Sequence, residues 1–336
     1  MIIDTHSHLY PRPYLDALAE RTEIPRLEVD HDGEHFLMFP NEKRITGGTR
    51  AIGEEYTSVE KKIFFMDQSG IDISLISLGN PWVDFFEKKK AAWWASSLNE
   101  EIESICASND RLEGLGVVPL QDIPAACDEV KRVARLPHLH GIIMGTRPGN
   151  VHLDHSELEP FWDTVEDNNL SLFIHPHYTV GMEWMAGYGH AMLIALGFPF
   201  ETTTAVTRLI LGGVLGRHPD ITIILAHSGG ALPFLSGRLD ICTQVDGRSS
   251  RNLEMPFSHY LKKLYYDAVA YNRSNLLCTL DLVGADRVFF GTDHPFGIAD
   301  PAACKKAIQE ACSSDEECTA ILEDNAKRWL RGAIDD

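Results

Sequence analysis

Short apolar runs alternate along this chain with longer stretches of helical spacing. The runs centre near residues 3, 74, 116, 143, 173, 224, 267 and 290, from Ile2-Ile3 through Ile71–Leu78, Gly114–Val118, Gly141–Gly145, Leu170–His175, Ile221–His227 and Leu264–Val269 to Arg287–Asp293. Each is too short for a buried helix and reads as a buried strand. Between them the apolar spacing becomes helical: Val59–Met66 with Gly70 as a stop, Lys89–Ala107, 122–135, Glu157–Asp167, Glu201–Gly216, Gly229-Gly230 to about Val245, and Ser274–Val283. Two further helices, about 301–312 and 315–331, close the chain. Strands alternating with helices predict a parallel sheet, and eight such units predict a closed (β/α)8 TIM barrel of the α/β class. An open doubly wound sheet is the alternative, but no Gly-x-Gly-x-x-Gly follows the first strand.

Two stretches break the alternation. A short helix near Tyr14–Glu20 leads into residues 24–53, where Pro25, Pro40, Gly33, Gly47 and Gly48 punctuate runs such as Glu34–Phe39. A small β-rich insertion at about 12–55, without a core of its own, is expected within a single domain spanning 1–336. His31 and His35 read as surface residues there. A glycine- and aromatic-rich loop runs from Pro176 to Pro199.

Catalytic groups of such a barrel stand at the C-terminal ends of the strands. The first strand ends in His6-Ser7-His8, the fifth in His175, the sixth in His227 and the eighth in Asp293. In a strand, i and i+2 share a face, so His6 and His8 aim two imidazoles at one point. Singly, each has a plain reading: a capping or hydrogen-bonded histidine, or an aspartate N-cap. Together on one rim they predict a divalent metal site. The fourth strand, 139–145, has no lysine that carbamylation could turn into a bridge between two metals. One metal is therefore expected, zinc with manganese as the other candidate, held by His6, His8, His175 and Asp293. His227 is left for acid–base work.

Net charge then excludes partners. At −19 the chain would be repelled by nucleic acid and anionic membrane. The seven cysteines are scattered with no Cys-x-x-Cys pair, as expected in a reducing cytoplasm. Hydropathy predicts neither a membrane span nor a secretory leader.

Several motifs resemble one family. They are Ile3-Asp4-Thr5-His6-Ser7-His8, Phe65-Met66-Asp67-Gln68-Ser69-Gly70-Ile71, His175-Pro176-His177, Gly197-Phe198-Pro199-Phe200-Glu201-Thr202-Thr203, Ala226-His227-Ser228-Gly229-Gly230 with Gly237-Arg238, and Gly291-Thr292-Asp293-His294-Pro295-Phe296. They resemble the amidohydrolase superfamily and, within it, the aminocarboxymuconate-semialdehyde decarboxylase family. His175-Pro176-His177-Tyr178, His227-Ser228-Gly229-Gly230, Asn80-Pro81-Trp82 and Tyr188-Gly189-His190 are closer to the isoorotate (uracil-5-carboxylate) decarboxylases of that family. The resemblance implies a metal-dependent, non-oxidative decarboxylase without an organic cofactor, often a homodimer, acting on a small carboxylate. Decarboxylation needs a proton at the carbon that loses CO2, for which Asp293 is the expected carrier and His227 its partner or the base acting on metal-bound water; the resemblance implies Arg238 as a carboxylate binder lent across a dimer interface, and Arg50, Asn80, His177 and Phe296 around the substrate. Alone, Arg238 reads as a helix-surface residue, and Glu201 as a helix cap. A lactonase-like hydrolase on the same barrel and a non-catalytic binding protein stay open as alternatives.

Overall fold

The computed structural model describes residues 1–39, 51–185 and 187–332. β1 (Ile3–His8) is followed by three short strands, β2 (Arg26–Asp30), β3 (Gly33–Leu37) and β4 (Ala51–Ile52). Then come β5 (Ile73–Ser77), β6 (Leu112–Gly116), β7 (Leu139–Gly145), β8 (Ser171–His175), β9 (Ile223–Leu225), β10 (Tyr265–Asp267) and β11 (Val288–Phe289). Eight of these form one sheet in the order β1-β5-β6-β7-β8-β9-β10-β11, all parallel. The ends of that sheet meet. Thr5 donates its amide to the Phe290 carbonyl at 2.9 Å, Asp293 to that of His6 at 2.8 Å and His8 to that of His294 at 2.7 Å. The eight expected strands form the (β/α)8 barrel.

The helices form where their sequences cap and stripe them. Ser58, Asp122, Asn272 and Asp300 each accept an amide from the first turn of the helix that follows. Gly70 stops the helix Val59–Ser69 in the left-handed region, φ 61°. The helix Lys88–Ala107 buries Ala91, Trp94, Ala95, Leu98 and Ile102, the three-and-four spacing of one face. No helix among the described residues is long and apolar enough to cross a membrane.

Several strands end earlier than their apolar runs. β6 stops at Gly116 because the side chain of Asn99 takes over both polar groups of Val117. It accepts the Val117 amide at 2.7 Å and donates to the Val117 carbonyl at 2.8 Å. β9 stops at Leu225, and His227 and Ser228 then turn with φ of 55° and 52°. β11 stops at Phe289, since the next amide, Phe290, bonds to Ile321 in the C-terminal helical segment at 3.0 Å. Asp293, at φ 61°, lies in the loop beyond. His227 and Asp293 are thus loop residues on left-handed backbone rather than strand ends.

In the β-rich segment, β2, β3 and β4 form a small antiparallel sheet. Leu27, Phe36, Met38 and Phe39 from this segment pack into the same apolar cluster as the barrel. His35 is buried at 7% exposure, not on the surface, because β3 is covered along His35–Leu37; His31 is exposed.

Barrel closure leaves no room at Gly291. A Cβ there would lie 2.8 Å from the Cβ of His6 and 3.2 Å from Val269. Gly291→Ala is expected to part β1 from the loop that carries Asp293. Overpacking of this kind costs about 1–3 kcal/mol. Thermal unfolding and metal content should fall together, and an unchanged melting temperature with full metal would contradict the close approach.

Candidate active site

β1 sends His6 and His8 to one point at the C-terminal mouth of the barrel, and β8 sends His175 to the same point. The ring nitrogens His6 Nε2 and His8 Nε2 are 3.1 Å apart, and Asp293 Oδ1 lies 3.4 and 3.3 Å from them. His227 Nε2 reaches the other oxygen, Asp293 Oδ2, at 3.4 Å. One donor atom each from His6, His175, His227 and Asp293 lie within 4.8 Å of one another.

What each histidine does with its other nitrogen divides the group. His6 Nδ1 donates to Asp267 Oδ2 at 2.6 Å. His175 Nδ1 lies 2.7 Å from the Pro176 carbonyl, which can only accept. Ser77 Oγ donates to the Ser7 carbonyl at 3.1 Å and so accepts from His8 Nδ1 at 3.0 Å. All three imidazoles therefore carry the proton on Nδ1 and turn a bare Nε2 inward. The His175 Nε2 is buried with no hydrogen-bond partner. Partners behind the ring that fix the tautomer are the usual support of metal-bound histidine. A tetrahedral site with metal–nitrogen bonds near 2.05 Å separates its ligands by about 3.3 Å, so the spacing fits a divalent cation. His227 differs: its Nδ1 has no hydrogen-bond partner.

The electrostatics agree with a cation site. Burial pushes His8 down to about 4 and His175 well below the usual imidazole range, so both stay neutral donors. Burial alone would raise Asp293, but His6, His227 and His8 outweigh it and hold the carboxyl well below its usual range. Behind the site, Lys62 is buried and donates to His294 Nδ1 at 2.7 Å, while the His294 ring stacks on Phe65 at 3.7 Å. Burial lowers Lys62 to about 7, and Asp4 and Asp293 oppose the fall.

A cavity of about 60 Å³ opens against His175 and Asp293. Its wall includes Phe36, Met38 and Ile52 from the insertion, with Asn80, Phe198 and Phe296. An outer cavity of about 700 Å³ adjoins it past His227, and His190, Ile194 and Ile298 belong to both. Asn80 and Phe296 therefore line the inner cavity. His177 is buried with its ring 5.8 Å from that of Trp82 and lines neither cavity. Arg238 is exposed on the helix Leu232–Val245 and also lines neither. Arg50 lies outside the described residues. Glu201 is no mere cap: it is buried and accepts from Thr146 Oγ1 at 3.1 Å and Arg147 Nε at 2.9 Å.

Sequence reasoning missed Asp267 and Lys62. Asp267 is the last residue of β10, so the scan of strand ends that found His175 could have found it. Lys62 had no such signal, since a lysine on an amphipathic helix ordinarily faces water.

Comparisons with known proteins fit this geometry. The amidohydrolase family profile matches residues 3–332. The 2-amino-3-carboxymuconate-6-semialdehyde decarboxylase of Dictyostelium discoideum is 26% identical over 98% of this chain and 91% of its own length. Among solved structures, the IDCase of Metarhizium anisopliae superposes with a TM-score of 0.92 at 34% identity, covering 99% of this chain and 97% of that one. The 5-carboxyvanillate decarboxylase of Novosphingobium aromaticivorans, complexed with manganese and 4-hydroxy-3-methoxy-5-nitrobenzoic acid, is similar in fold. Its TM-score is 0.83 at 23% identity, over 98% of this chain and 96% of that one. With the profile running almost end to end over a barrel whose rim gathers these imidazoles and a carboxylate, the chain belongs to the amidohydrolase family.

Proposed function

We propose that this chain is a metal-dependent, non-oxidative decarboxylase of a small planar carboxylate, aromatic, heteroaromatic or enol-type, such as uracil-5-carboxylate. The observation that carries it is the pairing of three bare imidazole nitrogens and an ionised Asp293 with His227, at the end of a narrow apolar cavity. Likeness to the Dictyostelium decarboxylase over nearly the whole chain, and to the Metarhizium IDCase, supports the same reading.

His6, His8, His175 and Asp293 would hold one divalent ion, zinc or manganese. When bound, it supplies positive charge that orients a carboxylate and an adjacent oxygen and draws off developing negative charge. The rest falls to the chain. The bond to the carboxyl carbon breaks, its electron pair stays on the ring carbon, CO2 departs and a proton takes its place. Asp293, facing both the cavity and the ligands, is the proton carrier, and His227 at its Oδ2 is the group that resupplies it. Asn80 and Phe296 fix the ring. The 60 Å³ cavity is smaller than the roughly 150 Å³ void that holds benzene. A ring must therefore extend past His190, Ile194 and Ile298 toward the outer cavity. His177, behind Trp82, would act on the substrate through that ring. Arg238 points to a homodimer: it shares its helix with exposed Phe234, Ile241 and Val245, an apolar stripe suited to a second copy whose active site it would reach.

Incubation with uracil-5-carboxylate, aminocarboxymuconate semialdehyde and hydroxybenzoates, following CO2, tests the activity. At least one should be decarboxylated, and Asp293→Asn should lower its turnover about a hundredfold or more, the scale of lost general acid catalysis. Water-dependent turnover without CO2 would replace the reading with a hydrolase.

Elemental analysis should find about one transition metal per chain. The ligand set is tested on the same preparations. His227→Asn should keep its metal and His8→Asn should lose most of it; the reverse result would move His227 into the coordination sphere and His8 out.

Arg238→Ala should lose activity with metal content intact, and lysine should recover little, because a point ammonium cannot replace a bidentate fork. Mixing Arg238→Ala with Asp293→Asn chains should restore part of the activity, since one interface then carries a complete site. No recovery on mixing, with subunit exchange shown independently, would place Arg238 outside the site.

A further inference from the structure

One fully buried carboxylate touches both halves of the site. Asp267 Oδ2 accepts from His6 Nδ1 at 2.6 Å and from the backbone amide of His227 at 2.9 Å. Its Oδ1 accepts the amides of Ser228 at 2.9 Å and Val269 at 3.0 Å. The Ser228 hydroxyl closes the loop by donating to the Asp267 carbonyl at 2.9 Å. Four donors thus meet two oxygens, two on each. The amides at 227 and 228 are presented by backbone at φ 55° and 52°, a conformation that non-glycine residues hold only when their surroundings impose it. The Asp267 carboxylate is what imposes it here, and it is the same group that fixes the tautomer of His6.

We infer that Asp267 is a positioning residue that locks the metal-facing imidazole of His6 to the turn carrying His227, so that cation binding and proton delivery share one anchor. The inference rests on the metal-site reading proposed above. The supports behind the other two proposed ligand histidines, Ser77 and the Pro176 carbonyl, each steady one imidazole.

Asparagine shows why both oxygens are needed. It keeps the shape but has one oxygen and a donor NH2. With the oxygen toward His6 and His227, the NH2 faces the amides of Ser228 and Val269, donor against donor. Flipped, it faces His6 Nδ1, which must then become an acceptor. The ring proton moves to Nε2, and the lone pair that would meet the cation is gone. Either way one function loses its support, and the shared turn carries the disturbance to the other.

The test is Asp267→Asn, with Ser77→Ala as the comparison, read by metal titration and by steady-state kinetics at saturating metal. Asp267→Asn should bind metal about tenfold to a hundredfold more weakly, the usual effect of losing a partner behind a ligand. Once saturated it should remain about tenfold or more below wild type in kcat, with KM little changed, because His227 is still misplaced. Ser77→Ala should weaken metal binding but regain its kcat on saturation. Full recovery of kcat in Asp267→Asn, or wild-type metal affinity, would overturn the shared anchor. Should Asp267→Asn not fold, hydrogen exchange of the wild-type chain decides. Stripping the metal should speed exchange of the 227, 228 and 269 amides while β7 stays protected, and unchanged exchange there would overturn the inference. Metal titration and exchange need no turnover, so they stand even if the decarboxylase reading fails.

Discussion

The Asp293 amide donates to the His6 carbonyl at 2.8 Å, and among the contacts that close the barrel this one also builds the site. Two segments at opposite ends of the chain are brought together there, and their side chains follow. Gly291 lets them approach, since any side chain would meet His6. Asp4, fully buried beneath, accepts Thr292 Oγ1 at 2.7 Å and the Thr292 amide at 3.1 Å, a second tie across the same seam. The rim geometry is therefore inherited from barrel closure. A site built on the seam of a rigid barrel holds its ligands more closely than loops alone would.

Most of the architecture was legible because apolar runs and helical stripes report burial directly. His6 and His8 followed from strand period alone, and His175 from its place at the end of an apolar run. What the pattern could not carry was the backbone beyond the strands. His227 and Asp293 were found as residues but placed on strands, because the left-handed turn that carries each depends on distant partners: Asp267 for one, the His6 carbonyl for the other. The extent of β6 was misjudged for a similar reason, since an asparagine side chain substitutes for the next strand. Lys62 was invisible because its burial is set by His294, far along the chain. Local periodicity sees neither kind of pairing.

The insertion shows the same division. Its sequence announced short strands, and β2, β3 and β4 are such strands, with Leu27, Phe36, Met38 and Phe39 packed into the barrel's cluster. Its role could not be read from composition. Phe36, Met38 and Ile52 wall the inner cavity, so the described part of the segment shares the barrel's core and in return narrows the path to the histidines. Apolar walls also matter for chemistry. They keep water from the carbon that must take a proton, and they lower the local dielectric around Asp293 and the imidazoles, which strengthens every charge interaction there.

That dielectric contrast resolves an apparent conflict. A chain of net charge −19 is a poor partner for an anionic substrate at long range. In physiological salt, however, surface charges are screened over about 8 Å, so the acidic exterior has little say inside the barrel mouth. There the groups that face inward are imidazoles and one carboxylate, so a second carboxylate would be drawn by a bound cation and by a cationic side chain at the entrance. Among the described residues proposed for the substrate, Arg238 would meet that need, and it stands exposed beside an apolar stripe, outside both cavities of its own chain. The charge balance of the site therefore argues in the same direction as the exposed helix, toward the proposed arrangement in which one chain would hold the cation and the proton carriers and a second would complete the grip on the anion.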